Sequence, residues 1–190
     1  LYNAMISPLR NMKFQGVLWY QGESNVERRN EYAALLDGMI KDWRDTFNDS
    51  DLPFYIVELA EFLHKSDAQG RQAWEEMRQE QAKAAKKVTH AVLIKNEDLG
   101  EWNDIHPLDK KSMAQRLFLG ARKVVYGEKL TYSGPVYKDM KVDGNKIIIT
   151  FTETGKGLAI RGGEKTLKHF AIAGEDQKFV WADAVIKGNT

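Results

Sequence analysis

The chain has 190 residues, 43% hydrophobic and 11% aromatic, which suits one medium domain with a real core plus a small companion. Its 28 basic and 27 acidic residues leave a formal net charge of +1, so charge selects neither nucleic acid nor a membrane surface as partner. The absence of cysteine excludes disulfides and thiolate metal sites, and no window approaches the roughly 20 apolar residues of a bilayer span.

Leu1-Tyr2-Asn3-Ala4-Met5-Ile6 is neither a start nor a signal peptide, and the turn signal Gly188-Asn189 normally leads into another strand. Both ends therefore read as cut, and the sequence as part of a longer chain. Phe14 to Tyr20 is a short apolar run that predicts a buried parallel strand. Gln21-Gly22-Glu23-Ser24-Asn25 follows at its carboxyl end. Tyr32, Leu35, Leu36, Met39, Ile40, Trp43 and Phe47 recur at helical spacing and predict the buried face of a long helix, broken at Asn48 to Asp51. Pro53 to Leu59 predicts a second buried strand. Gln69 to Lys87, rich in Ala, Glu, Gln, Lys and Arg, predicts a helix. Ala91 to Ile94 is a third strand and Asn96 to Pro107 a polar loop. Asp109 to Tyr126 predicts a helix with Met113, Leu117, Ala121 and Val124 on one face, closed by Gly127.

This alternation argues a three-layer α/β fold with a parallel sheet and right-handed crossovers. Ligands in such sheets gather at the carboxyl ends of the strands, where Gln21 to Asn25 and the Asn96 to Pro107 loop both fall. The texture then changes. Gly134-Pro135 opens a β-rich stretch, Asp143-Gly144 signals a hairpin before the strand Lys146 to Phe151, and two more strands flank Gly174-Glu175-Asp176. The expected organisation is a domain over 1–130 and a partial β-sandwich over 131–190.

Asn103-Asp104-Ile105-His106-Pro107 is the strongest chemical signal. An imidazole beside a carboxylate is the base-and-orienter pair that a serine nucleophile requires. A loop histidine without a task has the same composition. In Trp19-Tyr20-Gln21-Gly22-Glu23-Ser24-Asn25, Gly22 permits close backbone approach, and Gln21 or a backbone N–H can donate to an oxyanion. Ser24 lacks the second glycine of a G-x-S-x-G elbow and reads as a helix N-cap, Asn25 being the alternative cap. His64, His90 and His169 show no metal spacing. Glu23 with Asp104 would also suit a glycosidase carboxylate pair. Asn48-Asp49-Ser50 matches a glycosylation sequon.

Trp19-Tyr20-Gln21-Gly22-Glu23-Ser24-Asn25, and Asp98-Leu99-Gly100 followed by Asp104-Ile105-His106-Pro107 and Lys110, resemble segments of the sialate O-acetylesterase family within the SGNH-hydrolase superfamily. So do the upstream segment Leu1 to Ile6 with Pro8-Leu9, Gly134-Pro135-Val136-Tyr137, and Phe170 to Asp176. The resemblance implies an SGNH-type, flavodoxin-like sheet incomplete at its N-terminus. It implies hydrolysis of O-acetyl esters on carbohydrates, foremost sialic acids of the 9-O-acetyl type, without a metal or cofactor, in a secreted or periplasmic enzyme. His106 would be the base, Gln21 an oxyanion donor and Glu23 a residue shaping the site, with Gly22 and Asn103 beside the substrate. The family's nucleophile lies in a G-Q-S-N-type segment that this sequence lacks, so the resemblance implies a partner, the N-terminal portion of the same protein, carrying that serine. The superfamily's acid stands three residues before the histidine. Here that place is Asn103 and Asp104 stands two before, so either Asp104 or a backbone carbonyl orients His106. An acetylxylan-type esterase and a non-catalytic glycan-binding module are the alternatives.

Overall fold

A computed structural model describes residues 2–160, 162 and 166–190; Leu1, which opens the upstream segment named above, lies outside them. The chain falls into two compact units, Leu1–Ser133 and Gly134–Thr190.

The first unit is built on a parallel sheet of β1 (Val17–Trp19), β2 (Phe54–Val57) and β3 (Ala91–Ile94), in that spatial order. Val17 lies opposite Phe54, and Phe54 opposite Ala91. The β-branched and aromatic run of β2 suits a central strand, and all four of its residues are buried. Their alternation divides the core. Phe54 and Ile56 join Leu36 and Ile40 of α1 (Tyr32–Phe47) and Trp74 and Met77 of α2 (Ala68–Lys87). Tyr55 and Val57 join Val92, Ile94 and Leu117, the last from α3 (Lys110–Val124). Each fully buried side chain of this size contributes roughly 1.5–3 kcal/mol.

Polar residues set the helix ends. Asp67 accepts a hydrogen bond from the Gly70 N–H at 2.8 Å at the start of α2, and Asp109 from the Ser112 N–H at 2.9 Å at the start of α3. α1 stops at Asn48, whose left-handed φ of 51° asparagine tolerates. Met113, Ala121 and Val124 pack beside Leu117, as their spacing predicts.

Three expectations are corrected. The first strand is shorter than Phe14 to Tyr20, and Leu18 at its centre is 62% exposed, because α3 packs over β2 and β3 and leaves that face of β1 open. Leu35 is exposed, the apolar stripe of α1 running instead through Tyr32, Leu36 and Ile40. A 3₁₀ segment, Glu23–Glu31, precedes α1, and its N-cap is Gly22 with no side-chain cap, so neither Ser24 nor Asn25 takes that role.

In the second unit β4 (Val136–Asp143) and β5 (Lys146–Thr152) form an antiparallel hairpin in which Asp143 faces Lys146, with Gly144 at φ 60° in the two-residue loop. β6 (Ala171–Ile172) pairs antiparallel with β7 (Val180–Trp181). The expected partial β-sandwich is not confirmed. The two ladders are separate sheets, and among the described residues of this unit no side chain is buried.

Candidate active site

The carboxyl ends of the three strands bring together three polar segments: Tyr20 to Asn25 after β1, Glu58 after β2, and Lys95 to Lys110 after β3.

The first segment is held from beneath. The Gln21 carbonyl accepts hydrogen bonds from the Tyr32 hydroxyl at 2.8 Å and from Gln81 Nε2 at 3.2 Å. Gln81, fully buried on α2, also donates to the Val57 carbonyl at 3.3 Å and accepts from the Leu59 N–H at 2.9 Å. It thereby ties the ends of β1 and β2 to one helix. Gly22 has φ 155°, and a Cβ there would lie 2.8 Å from Met77 Cε. Only glycine meets both demands. The Gln21 side chain donates to Asn25 Oδ1 at 2.8 Å, which fixes the amide and leaves its second N–H for a ligand. The Gly22 N–H donates to Glu23 Oε2 at 2.9 Å. A carboxylate thus rests on the backbone donor expected to meet an oxyanion, so Glu23 must move aside for Gly22 to serve a substrate. Ser24 is exposed.

The third segment carries His106. Asp104 Oδ1 accepts the His106 backbone N–H at 2.8 Å and lies 3.6 Å from His106 Nδ1. An aspartate two residues before its donor closes an Asx turn, which explains the first contact. The second, at 3.6 Å, is longer than a hydrogen bond. The imidazole is 88% exposed, so Nε2 is open to a nucleophile from outside the loop. Asn103 is exposed in the same turn and Pro107 is buried. The loop is fastened along its length. The Glu61 N–H donates to the Glu97 carbonyl at 3.1 Å and the Leu63 N–H to that of Trp102 at 3.0 Å. Arg116 binds Asp98 through both nitrogens, at 2.6 and 2.9 Å, and reaches the Lys95 carbonyl at 2.9 Å.

No hydrogen bond or ion pair joins Gln21, Gly22 or Glu23 directly to Asp104 or His106 among the described residues. Tyr20 spans the gap. Its hydroxyl accepts from Asn96 Nδ2 at 2.9 Å, and Lys110 Nζ lies 5.3 Å from its ring centroid. Burial pushes the Tyr20 phenol up; the Asn96 bond opposes this, and the charges of Glu23 and Glu101 add to it. Glu58 is 1% exposed, with Lys95 Nζ at 2.7 Å and the Asn96 N–H at 3.4 Å on its carboxylate. Its burial raises the carboxyl above the usual range although Lys95 pulls it down.

Tyr20 as a bridge, Glu58, Gln81 and Asn96 were not singled out from sequence. Gln81 left a trace, a lone amide in the apolar series Trp74, Met77, Ala84 and Ala85. A cavity of about 560 Å³ lies at the opposite end of the strands, lined by Phe14, Phe47, Leu52, Pro53 and His90 among others, and no expected site residue lines it. Among the described residues no group of three His, Cys, Asp or Glu side chains is placed to hold a metal.

With this geometry in view, relatives decide the family. The family described as "Carbohydrate esterase, sialic acid-specific acetylesterase" matches residues 1–122. The chain belongs to that family. The sialic acid-specific acetylesterase match covers all three polar segments and most of α3. The chain is similar to the sialate O-acetylesterase of Mus musculus, with 36% identity over 170 residues, 80% of this chain and 31% of the relative. It is 35% identical to that of Rattus norvegicus over 184 residues, 88% of this chain and 34% of the relative. It spans about a third of the length of these acetylesterases. The crystal structure of a carbohydrate acetylesterase from Xanthomonas citri superposes with a TM-score of 0.81 at 38% identity, covering 99% of this chain and 44% of the other.

Proposed function

We propose that this chain is part of an esterase that removes O-acetyl groups from carbohydrates, sialic acids of the 9-O-acetyl type foremost. The observation that carries the reading is the His106–Asp104 pair, exposed at the carboxyl end of the sheet in a chain of the acetylesterase family. A serine on a segment outside the sequence described attacks the acetyl carbonyl while His106 Nε2 takes its proton. Asp104 steadies the imidazolium from the Nδ1 side. The free N–H of the Gln21 amide, and the Gly22 N–H once Glu23 has swung away, stabilise the oxyanion. The sugar oxygen leaves with the proton from His106. Water then attacks the acyl-serine, again with His106 as base, and releases acetate.

In the complete protein that carries this chain, His106→Ala is expected to lower kcat/KM on an aryl acetate and on 9-O-acetylated sialic acid by at least about 10³-fold. Retention of near-normal rates would overturn the role of His106. Acetate release from acetylated xylan but not from acetylated sialic acid would overturn the choice of sugar.

A further inference from the structure

The proposed site has two halves on different strands, and catalysis of this type tolerates little error between them. Displacement by about 1 Å costs on the order of 100-fold in rate. Within the described residues, the direct side-chain hydrogen bond between the ends of β1 and β3 runs from Asn96 Nδ2 to the Tyr20 hydroxyl, at 2.9 Å. Its two members are well placed to transmit position. Tyr20 is covalently next to Gln21. Asn96 is the last residue before the turn Glu97–Leu99 that opens the histidine loop.

Asn96 is also held on its other sides. It is 1% exposed, its N–H reaches Glu58 Oε2 at 3.4 Å, and its carbonyl accepts the Leu99 N–H at 3.1 Å. Among the described residues its Oδ1 is buried with no hydrogen-bond partner. A buried amide that leaves one acceptor unmet is costly to keep. Among the described residues the Asn96 amide group bonds to Tyr20 alone. The Tyr20 ring in turn lies beneath the ammonium of Lys110, at the start of α3 and just past His106.

We infer that Tyr20 and Asn96 form a positioning strut, the 2.9 Å hydrogen bond between the ends of β1 and β3 setting the spacing of the Gln21–Gly22 oxyanion donors and the His106 loop. The inference rests on the esterase reading for its kinetic consequence and on geometry alone for its structural one.

The test uses the complete protein, with Tyr20→Phe, Asn96→Ala and the double variant. Tyr20→Phe removes only the hydroxyl and keeps the ring beneath Lys110. With an aryl acetate, each single variant is expected to lower kcat by about 10- to 100-fold with KM moving far less. The double variant should be no worse than the poorer single, because both remove one bond. Losses that multiply would overturn the strut, as would kcat within twofold of the parent in both singles. A Tyr20→Phe defect without an Asn96→Ala defect would mean that the phenol acts on the substrate itself. Amide chemical shifts of Gly22 and His106 supply a readout independent of turnover. Asn96→Ala should move Gly22 and Tyr20→Phe should move His106. If neither signal shifts, the strut fails whatever the activity; if both shift in a protein without esterase activity, the strut stands and the esterase reading falls.

Discussion

Glu58 shows how a single side chain near the site couples fold and pH. Its carboxylate is almost fully buried, and burial outweighs Lys95 in setting its protonation, so its folded pKa stands above the ordinary value near 4.5. A carboxyl raised by folding binds its proton more tightly in the native state. Its contribution to stability is therefore complete below the ordinary value and is lost as pH rises through the raised one. Glu58→Gln keeps an acceptor for the Asn96 N–H and cannot ionise, while Lys95, half exposed, returns to water at little cost. The melting temperature of Glu58→Gln relative to the parent is expected to rise between pH 4 and pH 8. Parallel curves for the two proteins would show that the carboxyl is not raised. Asp104 and His106 were singled out from sequence as a base-orienter pair because they stand two residues apart, whereas the Asx turn between them appears only in the structure. Glu58, Asn96 and Gln81 were not, since their meaning depends on burial produced by strands and helices far away in the chain.

At the scale of elements, the decisive feature is how the histidine loop is seated. The three strands followed from short apolar runs, α1 and α3 from hydrophobic period, and α2 from its helix-forming composition. The 3₁₀ segment Glu23–Glu31 did not, since it is polar and buries no residue. Nor did the exposure of Leu18, which depends on where α3 lands. The seating of the loop was equally hidden, because it rests on backbone contact. Gly100 lies against the Glu61 backbone so closely that a Cβ would overlap the Glu61 nitrogen and carbonyl. Backbone cannot yield as a flexible side chain can, so Gly100→Ala must push the loop off the segment after β2. Such overpacking costs about 1–3 kcal/mol. The Glu61–Glu97 and Leu63–Trp102 bonds flank the point of overlap, so the displacement runs into the turn that holds Asp104 and His106. Gly100→Ala should therefore melt earlier and, well below its melting temperature, hydrolyse an aryl acetate at least about tenfold more slowly. Full activity in folded Gly100→Ala would mean that the loop position does not matter to the reaction.

For the whole molecule, the two units differ in how they are stabilised. Leu1–Ser133 has a sheet covered by helices on both faces and two apolar clusters, the usual route to cooperative folding. Gly134–Thr190 was readable as β-rich from its turn signals, and Asp143-Gly144 marked a hairpin, but its register, with Asp143 opposite Lys146 and Gly144-Asn145 as the loop, was not read. What sequence did not show is that these ladders bury none of their apolar side chains fully. Among the described residues of this unit none is buried, and Val142, Phe179 and Trp181 are each more than 60% exposed. A two-stranded hairpin is at best marginally stable in water, and two of them without a shared core do not change that. We therefore propose that the units are thermodynamically unequal. Expressed alone, residues 1–133 should unfold in one cooperative transition followed by circular dichroism and by tryptophan fluorescence. Residues 134–190 alone should show no cooperative transition and hydrogen exchange close to that of an unfolded chain, because among the described residues no fully buried side chain is lost when their ladders open. A sharp, reversible melt of residues 134–190 in isolation would overturn this. It would require a core that the two separate ladders do not supply, and would restore the sandwich reading of this half.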